Sequence, residues 1–304
     1  MITIYSPLTA KSNCKHIESI DKNVINDLYI SSYDIDVSCY FEHVSSVEKY
    51  LCLDTQLEFF KPDNLAGNSE LYEKLQKFDW FYKESKWEYE NAVRFINPNF
   101  RVLDVGCGHG HFLRLCSNIE ANAVGLEFNE QAYLYTKSEK LEVYQQSIED
   151  HSINLSQLYD VVCAFQVLEH VVDISGFISA CLASLKPGGF FIVGVPNNDA
   201  FLKFDKTNCL NLPPHHMSLW GRKSLTSLPR YFDCELHSIE VEPLNEVDWF
   251  QAVMEKRYIT NRFVKSLFYR IGGSKLFKRF ITDNSDSIAG HTILAVFQKS
   301  YTSG

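Results

Sequence analysis

A regular alternation of short apolar runs and helix-length segments begins at Arg101 and constrains the fold more than any other feature of this 304-residue sequence. Apolar runs at 101–105, 122–126, 160–165 and 189–195 are typical of strands that are buried on both faces of a parallel sheet. Two further strands are predicted near 235–242 and 291–298. The pattern therefore predicts an α/β fold with helices on both faces of a mostly parallel sheet.

Closely spaced glycines follow the first of these strands directly, in the stretch VLDVGCGHGHFL at 102–113. Glycines at a strand-to-helix turn let a ligand approach the backbone, and the following helix offers free N–H groups. A dinucleotide-binding loop requires Gly-x-Gly-x-x-Gly. Here the sixth position is His111, and Gly110 closes a Gly-x-Gly-x-Gly pattern instead. The spacing therefore disfavours a nicotinamide dinucleotide.

Two acidic residues flank this loop. Glu127 lies at the end of the next strand, about 20 residues past the loop, where a carboxylate can accept both ribose hydroxyls of an adenosine ligand. Asp104 lies two residues before Gly106, at the carboxyl end of its strand. An anion at that position would attract a cationic amino or sulfonium group, which suits S-adenosylmethionine (SAM) better than a phosphate.

Five blocks, DVGCGHG at 104–110, GLEFN at 125–129, SIED at 147–150, FQVLEHVVD at 165–173 and LKPGGFFIVGVPN at 185–197, resemble in order and spacing the class I SAM-dependent methyltransferases. The resemblance implies a Rossmann-like, seven-stranded, mostly parallel sheet with an antiparallel last strand. The cofactor-binding residues that it implies are Asp104, Gly106, Cys107, Gly108 and Gly110 at the loop, Glu127 and Phe128 after the second strand, Ile148 and Glu149 at the adenine, and Gln166 near the methyl group. Each glycine or acid taken alone could instead form only a turn or a solvated strand end.

The segment NLPPHHMSLW at 211–220 is the second candidate site. Ligands of such sheets bind at the carboxyl ends of the strands, so this segment is expected to border the substrate opening. His215 and His216 are the candidate catalytic bases, because an imidazole with a pKa of about 6.5 can take the proton of an alcohol at neutral pH. Alternatively, both histidines only pack or cap the loop. Tyr82 is interpreted either as a core aromatic or as a lid over SAM.

Together with GHTILAVFQK at 290–299, this segment resembles methyltransferases of sugar and polysaccharide biosynthesis. That resemblance implies transfer of a methyl group from SAM to a hydroxyl of a sugar or glycan-like molecule, free or nucleotide-linked, with S-adenosylhomocysteine as the product. Two alternatives stay open. One is C- or N-methylation of another small molecule, such as a natural product or a quinone precursor, and the other is a SAM-binding protein without catalysis.

Residues 1–68 are predicted to form a small N-terminal appendage. The sugar methyltransferases often begin with a zinc ribbon of two Cys-x-x-Cys pairs, which align with residues 6–9 and 52–55. Three of those four ligand positions carry serine or threonine, and hydroxyls are poor ligands for tetrahedral zinc. The sequence therefore predicts a degenerate ribbon without metal, and no metal site is expected in the chain. Recruitment of Cys14 and His16 is the alternative.

The catalytic domain predicted at 69–304 contains a long insert, 246–282, between its last two strands. The part at 254–281 has eight basic residues and one acidic residue, Glu255. Apolar residues at helical spacing predict an amphipathic basic helix. Either its apolar face packs on the protein, or residues 256–279 hold a phosphorylated substrate or make weak contact with an anionic membrane surface.

Composition limits the remaining partners and the location. A net charge of −9 disfavours a general nucleic-acid surface, so no nucleic-acid partner is expected. Nine cysteines, an odd number without a repeated close spacing, favour free thiols in a reducing compartment. The first residues lack the basic and apolar regions of a signal peptide, and no apolar run approaches about 18 residues. A small-molecule acceptor and a cytoplasmic location are therefore predicted.

Overall fold

The computed structural model describes residues 3–78, 80–154 and 156–301. Its strands form one seven-stranded sheet and one four-stranded sheet. They are β1 (Cys14–Asp21), β2 (Ser46–Cys52), β3 (Glu58–Lys61), β4 (Arg101–Val105), β5 (Asn122–Leu126), β6 (Val143–Tyr144), β7 (Tyr159–Phe165), β8 (Leu185–Pro196), β9 (Ser218–Leu219), β10 (Cys234–Pro243) and β11 (Ala289–Lys299). The α-helices are α1 (Lys22–Tyr33), α2 (Ser69–Leu75), α3 (Trp87–Ala92), α4 (His111–Asn118), α5 (Glu130–Ser138), α6 (Ile148–Asn154), α7 (Ile174–Ser184), α8 (Arg222–Thr226), α9 (Val247–Tyr258), α10 (Arg262–Arg270) and α11 (Gly273–Asp283).

The large sheet has the order β10–β11–β8–β7–β4–β5–β6. Neighbouring strands from β8 to β6 pair in parallel, whereas β11 is antiparallel to both β8 and β10. The predicted α/β class, with seven strands and an antiparallel last strand, is confirmed. The two-residue strand β6 was not predicted, because it is too short to give a periodic pattern.

The central strands form where they do because both of their faces are covered. Adjacent residues of β4 enter different cores: Val102 packs with Phe112 of α4, and Leu103 packs with Ile178 of α7. All four side chains are completely buried. Burial of each such side chain contributes about 1.5–3 kcal/mol to folding, so an extended run of apolar residues is stable only in this double-sided position.

The N-terminal segment is packed into the rest of the chain. Its strands form the sheet β1–β2–β3–β9, in which β9 comes from the segment after the central sheet's β8. Cys52 and Phe59 belong to the same apolar core as Ile174 and Trp220. Of the proposed ribbon positions, Cys52 lies against the side chains at positions 6 and 55. The division at residue 68 therefore marks a change in sequence pattern, not a gap in packing.

The basic insert forms α9, α10 and α11. No residue of α10 is buried, and the apolar side chains of Phe263 and Leu267 are 87% and 59% exposed. The alternative in which this apolar face packs on the protein is therefore wrong for α10. No helix in the described parts of the chain is long and apolar enough to cross a membrane.

Candidate active site

The loop at 106–110 joins β4 to α4 and is held to β5 by backbone hydrogen bonds. The N–H groups of Gly106 and Cys107 both donate to the carbonyl of Leu126, at 2.8 and 3.0 Å. Gly108 has a φ of +51°, in the left-handed region that favours glycine. A Cβ added there would lie 2.7 Å from the Tyr82 ring. The missing side chain therefore lets Tyr82 lie directly on the loop backbone.

Glu127 follows β5 and points at this loop. Its Oε2 accepts a hydrogen bond from the Gly108 N–H at 2.8 Å, and its Oε1 accepts one from the Asn129 N–H at 2.7 Å. Burial raises the pKa of this carboxyl, while the backbone N–H groups act in the opposite direction. A carboxylate has about four lone-pair positions. About two therefore remain free for ligand hydroxyls, which fits the ribose of SAM.

The other residues predicted around the adenosine line the same cavity, which they share with the loop and with Glu127. Phe128 is 66% exposed, and Ile148 and Glu149 form the first turn of α6. Tyr82 stacks on His109, with ring centroids 4.0 Å apart. His109 was not predicted to be a site residue, although its position inside the glycine loop was a sufficient signal.

Two residues predicted at the cofactor lie elsewhere. Asp104 is buried and is absent from the cavity lining, and burial raises its pKa to about 7. Gly110 precedes α4, and a Cβ there would meet Leu141 and Thr136 at 2.6 and 2.9 Å. Gly110 therefore allows close packing behind the loop, and direct contact of either residue with a ligand in this cavity is not supported by its position.

Gln166 follows β7 and lines the cavity with a φ of +58°. Its Nε2 donates to the Glu88 carboxylate at 3.3 Å, and its backbone N–H donates to the carbonyl of Gly194 at 2.8 Å. Glu88 belongs to α3 and was not predicted to be a site residue. The sequence offers no signal for this contact, because the two residues are far apart in the chain and in different elements.

The histidine segment meets the end of β7 in the same cavity. The rings of His215 and His216 stack with centroids 4.6 Å apart, and His170 packs edge-on against both, at 4.6 and 5.0 Å. Tyr72 of α2 contacts His170 and His215. His170 was not predicted, although it lies in the segment that follows the carboxyl end of β7, where ligands of such sheets bind.

Burial dominates the electrostatics of this histidine cluster. It lowers the pKa of His215 and His216 well below the usual value and lowers that of His170 to about 4. All three rings are therefore neutral at pH 7. Glu169 is only 1% exposed, and burial raises its pKa to about 8.

One cavity of about 1160 Å³ contains both groups of residues. Its lining includes the glycine loop and Glu127 as well as Gln166 and the histidine cluster. Pockets for a single small molecule are typically about 300–1,000 Å³. This cavity can therefore hold SAM and a second molecule together.

Several known proteins are similar to this chain in sequence. The ubiquinone biosynthesis O-methyltransferase of Bradyrhizobium diazoefficiens is 31% identical over 118 residues, which are 37% of this chain and 47% of that protein. The enzyme of the same name from Proteus mirabilis is 31% identical over 161 residues, 46% of this chain and 65% of that protein. The chain thus spans roughly half to two thirds of the length of these relatives. Their names give no support to the predicted resemblance to sugar and polysaccharide methyltransferases.

The crystal structure of a SAM dependent methyltransferase from Archaeoglobus fulgidus covers 77% of this chain and 95% of its own, with a TM-score of 0.48 and 18% identity. Residues 41–239 match the family described as "Methyltransferase domain". This range contains the glycine loop, Glu127 and the histidine segment. The prediction of a class I SAM-dependent methyltransferase domain is therefore confirmed, and the chain belongs to the methyltransferase domain family.

Proposed function

We propose that this protein transfers the methyl group of SAM to a hydroxyl oxygen of a small molecule. The observation that carries the proposal is the shared cavity, in which an adenosine-binding edge and a cluster of neutral imidazoles face one space. SAM brings an activated methyl group, so the protein has to position the acceptor and assist loss of its proton. Gly106, Gly108 and Glu127 would hold the cofactor, and the histidine cluster would border the acceptor.

The proton-accepting group would be His215 or His216. The Nδ1 atom of each ring lies near an oxygen acceptor, at 3.1 and 3.3 Å, so Nδ1 carries the proton and Nε2 has a free lone pair. A hydroxyl is a weak nucleophile at neutral pH, and because burial lowers the pKa of both rings and weakens them as bases, we expect a contribution near the lower end of the usual range, about 10² in rate. Alanine at the catalytic position should lower kcat by that factor while SAM affinity and Tm stay close to those of the wild type.

The acceptor would be a hydroxylated ring with an apolar face. Aromatic side chains from several elements line the cavity, namely Tyr33, Tyr72, Trp80, Phe81 and Trp249. Such a lining favours a phenol-like ring, in agreement with the names of the ubiquinone biosynthesis relatives. A sugar hydroxyl is the second candidate, because sugars also pack against aromatic rings.

The exposed insert is the part of the protein that we propose to contact a membrane surface. Helices α10 and α11 present exposed apolar side chains, including Phe263 and Phe280, beside basic residues such as Lys265 and Arg279. A helix of this composition binds in the interface of an anionic membrane. We propose weak membrane-surface contact through these helices, which would bring the cavity to acceptors that dissolve in lipid.

Incubation of the purified protein with SAM and a panel of acceptors tests the function. The panel contains dihydroxylated aromatic rings, monosaccharides and nucleotide sugars, and mass spectrometry with fragmentation locates the added methyl group. Methylation of an oxygen is expected, with aromatic acceptors preferred, and it should be absent in a Glu127→Ala control. Methylation on carbon or nitrogen would replace the proposal with the first alternative, and SAM binding without turnover on any acceptor would favour the second.

A further inference from the structure

Three imidazoles converge in the acceptor half of the cavity, and one buried carboxylate lies beside one of them. His170 follows β7, whereas His215 and His216 come from the loop before β9. One ring nitrogen from each histidine lies within 4.8 Å of the other two. In the part of the chain that the structure describes, this is the one group of three potential metal-ligating side chains at such distances.

Each of the three rings is oriented through its Nδ1 atom. His170 Nδ1 lies 2.6 Å from the carbonyl oxygen of His215, and His215 Nδ1 lies 3.1 Å from that of Leu210. Carbonyl oxygens only accept hydrogen bonds, so both Nδ1 atoms carry the proton. Both Nε2 atoms therefore have a free lone pair.

The third ring is fixed in the same way by an amide. His216 Nδ1 lies 3.3 Å from Asn211 Oδ1. The amide nitrogen of Asn211 donates to Asn198 Oδ1 at 2.7 Å, which leaves its oxygen for the histidine. A histidine that binds a metal ion through one nitrogen nearly always donates its other N–H to such an oxygen.

Glu169 supplies a buried acidic group at the same place. Neither of its carboxylate oxygens has a hydrogen-bond partner in the described structure, and Oε1 lies 3.8 Å from His170 Nε2. Burial of a carboxylate without a partner is unfavourable. A cation held by the three imidazoles would lie near this carboxylate and would favour its ionised form.

We propose that His170, His215 and His216 bind one zinc ion through their Nε2 atoms, with the fourth position open to the acceptor and Glu169 nearby as a counter-charge. Nitrogen-rich sites of this kind suit zinc, and Zn–N distances of about 2.0–2.1 Å place tetrahedral nitrogens about 3.3 Å apart. Ring nitrogens within 4.8 Å of one another would approach by up to about 1.5 Å, and the stacked rings of His215 and His216 would also have to turn towards the ion. This site is separate from the N-terminal segment, and it departs from the sequence-based expectation that the chain has no metal site.

The catalytic consequence rests on the proposed function. An acceptor hydroxyl that reaches the ion would lose its proton to water more readily, because zinc lowers the pKa of a bound oxygen ligand. The oxygen then forms the C–O bond while the C–S bond of SAM breaks, and the bonding electron pair stays on sulfur. In the zinc-bound protein this route replaces proton transfer to His215 or His216, which would remain the route in the metal-free protein.

The test begins with the full-length protein after treatment with a chelator and buffer exchange. Titration with zinc, in competition with a chromophoric zinc indicator, measures stoichiometry and Kd. We expect one zinc per chain, an affinity at least about 100-fold weaker in His170→Ala and His215→Ala, and a loss of about 10–100-fold in Asn211→Ala. The exposed His43 gives the control His43→Ala, which should bind as the wild type does.

Variants with glutamine at positions 170 and 215 approximately keep the side-chain volume, and circular dichroism melting tests whether they are folded. Cobalt(II) should give visible absorption of a four-coordinate site in the wild type and lose it in these variants. Zinc binding that is equal in the wild type and in His170→Gln would overturn the proposal. If the chelated protein still methylates its acceptor at the full rate, the metal role fails and the methyl transfer stands. Stoichiometric zinc at this cluster without methylation of any acceptor would support the metal site and refute the proposed methyl transfer.

Discussion

Replacement of Glu127 by alanine gives the sharpest test of the cofactor half of the site. If the two free lone-pair positions of the carboxylate accept the ribose hydroxyls, alanine removes two hydrogen bonds to a charged group, each worth about 1.5–3 kcal/mol. The expected loss is about 3–6 kcal/mol, which weakens SAM binding about 10²- to 10⁴-fold. The variant also leaves the Gly108 N–H without its acceptor.

Glu127→Gln separates the contribution of the ribose hydrogen bonds from that of the hydrogen bond to the loop. Its amide oxygen can still accept a hydrogen bond from the loop, but its NH₂ group cannot accept one from a hydroxyl. We expect an intermediate loss of about 1.5–3 kcal/mol, or about 10- to 150-fold in Kd.

Isothermal titration calorimetry with SAM and S-adenosylhomocysteine measures these losses, and thermal melting confirms that each variant is folded. Glu130→Ala is the matched control, because Glu130 is an exposed acid nearby that does not line the cavity. Unchanged affinity in folded Glu127→Ala would show that the ribose lies elsewhere and that the carboxylate only fastens the loop.

Three further outcomes are expected. Gly108→Ala should weaken SAM binding at least about tenfold, because the new Cβ meets the Tyr82 ring at 2.7 Å, whereas Gly272→Ala, with a φ of +76° and no atom within 4 Å, should not. Asp104→Asn should raise the free energy of unfolding in urea more at pH 8 than at pH 5, by up to about 3 kcal/mol. Because burial raises the pKa of Asp104 to about 7, the wild-type protein loses stability as the pH rises towards that value, and asparagine removes this loss. An equal effect at both pH values would contradict that pKa. Leu267→Asp should reduce binding to vesicles that contain anionic lipid and leave SAM affinity unchanged; undiminished binding would exclude α10 as the contact.

The central sheet could be predicted from the sequence because double-sided burial leaves a direct trace. Strands such as β4 and β7 are recognisable as mostly apolar segments, and the glycine loop adds the positive φ values that only a few residue types adopt. The edge strand β6 has two residues and leaves no such trace. Local sequence patterns are thus sufficient to predict a strand where nearly all of its residues are buried.

Contacts between distant segments were not predictable in the same way. His215 and His216 were identified from their own segment, but His170 lies 45 residues earlier than the carbonyl that it contacts. The amphipathic pattern of the insert was also correct, yet a pattern of apolar residues does not say what covers them. Only the position of α10 on the surface shows that its apolar side chains are exposed.

The N-terminal segment shows how such a distant contact can belong to the site. The Phe60 N–H donates to the carbonyl of Met217 at 3.0 Å, and the Gly67 N–H donates to that of Pro214 at 2.7 Å. From the other side, the carbonyl of Glu169 accepts hydrogen bonds from the N–H groups of Met217 and Ser218. The histidine segment is therefore fixed between the N-terminal sheet and the end of β7. The N-terminal segment therefore has a structural role even though most of its aligned ribbon positions are hydroxyl residues. Without it, one side of this loop would lose its backbone hydrogen-bond partners, and the imidazoles would lose their common orientation.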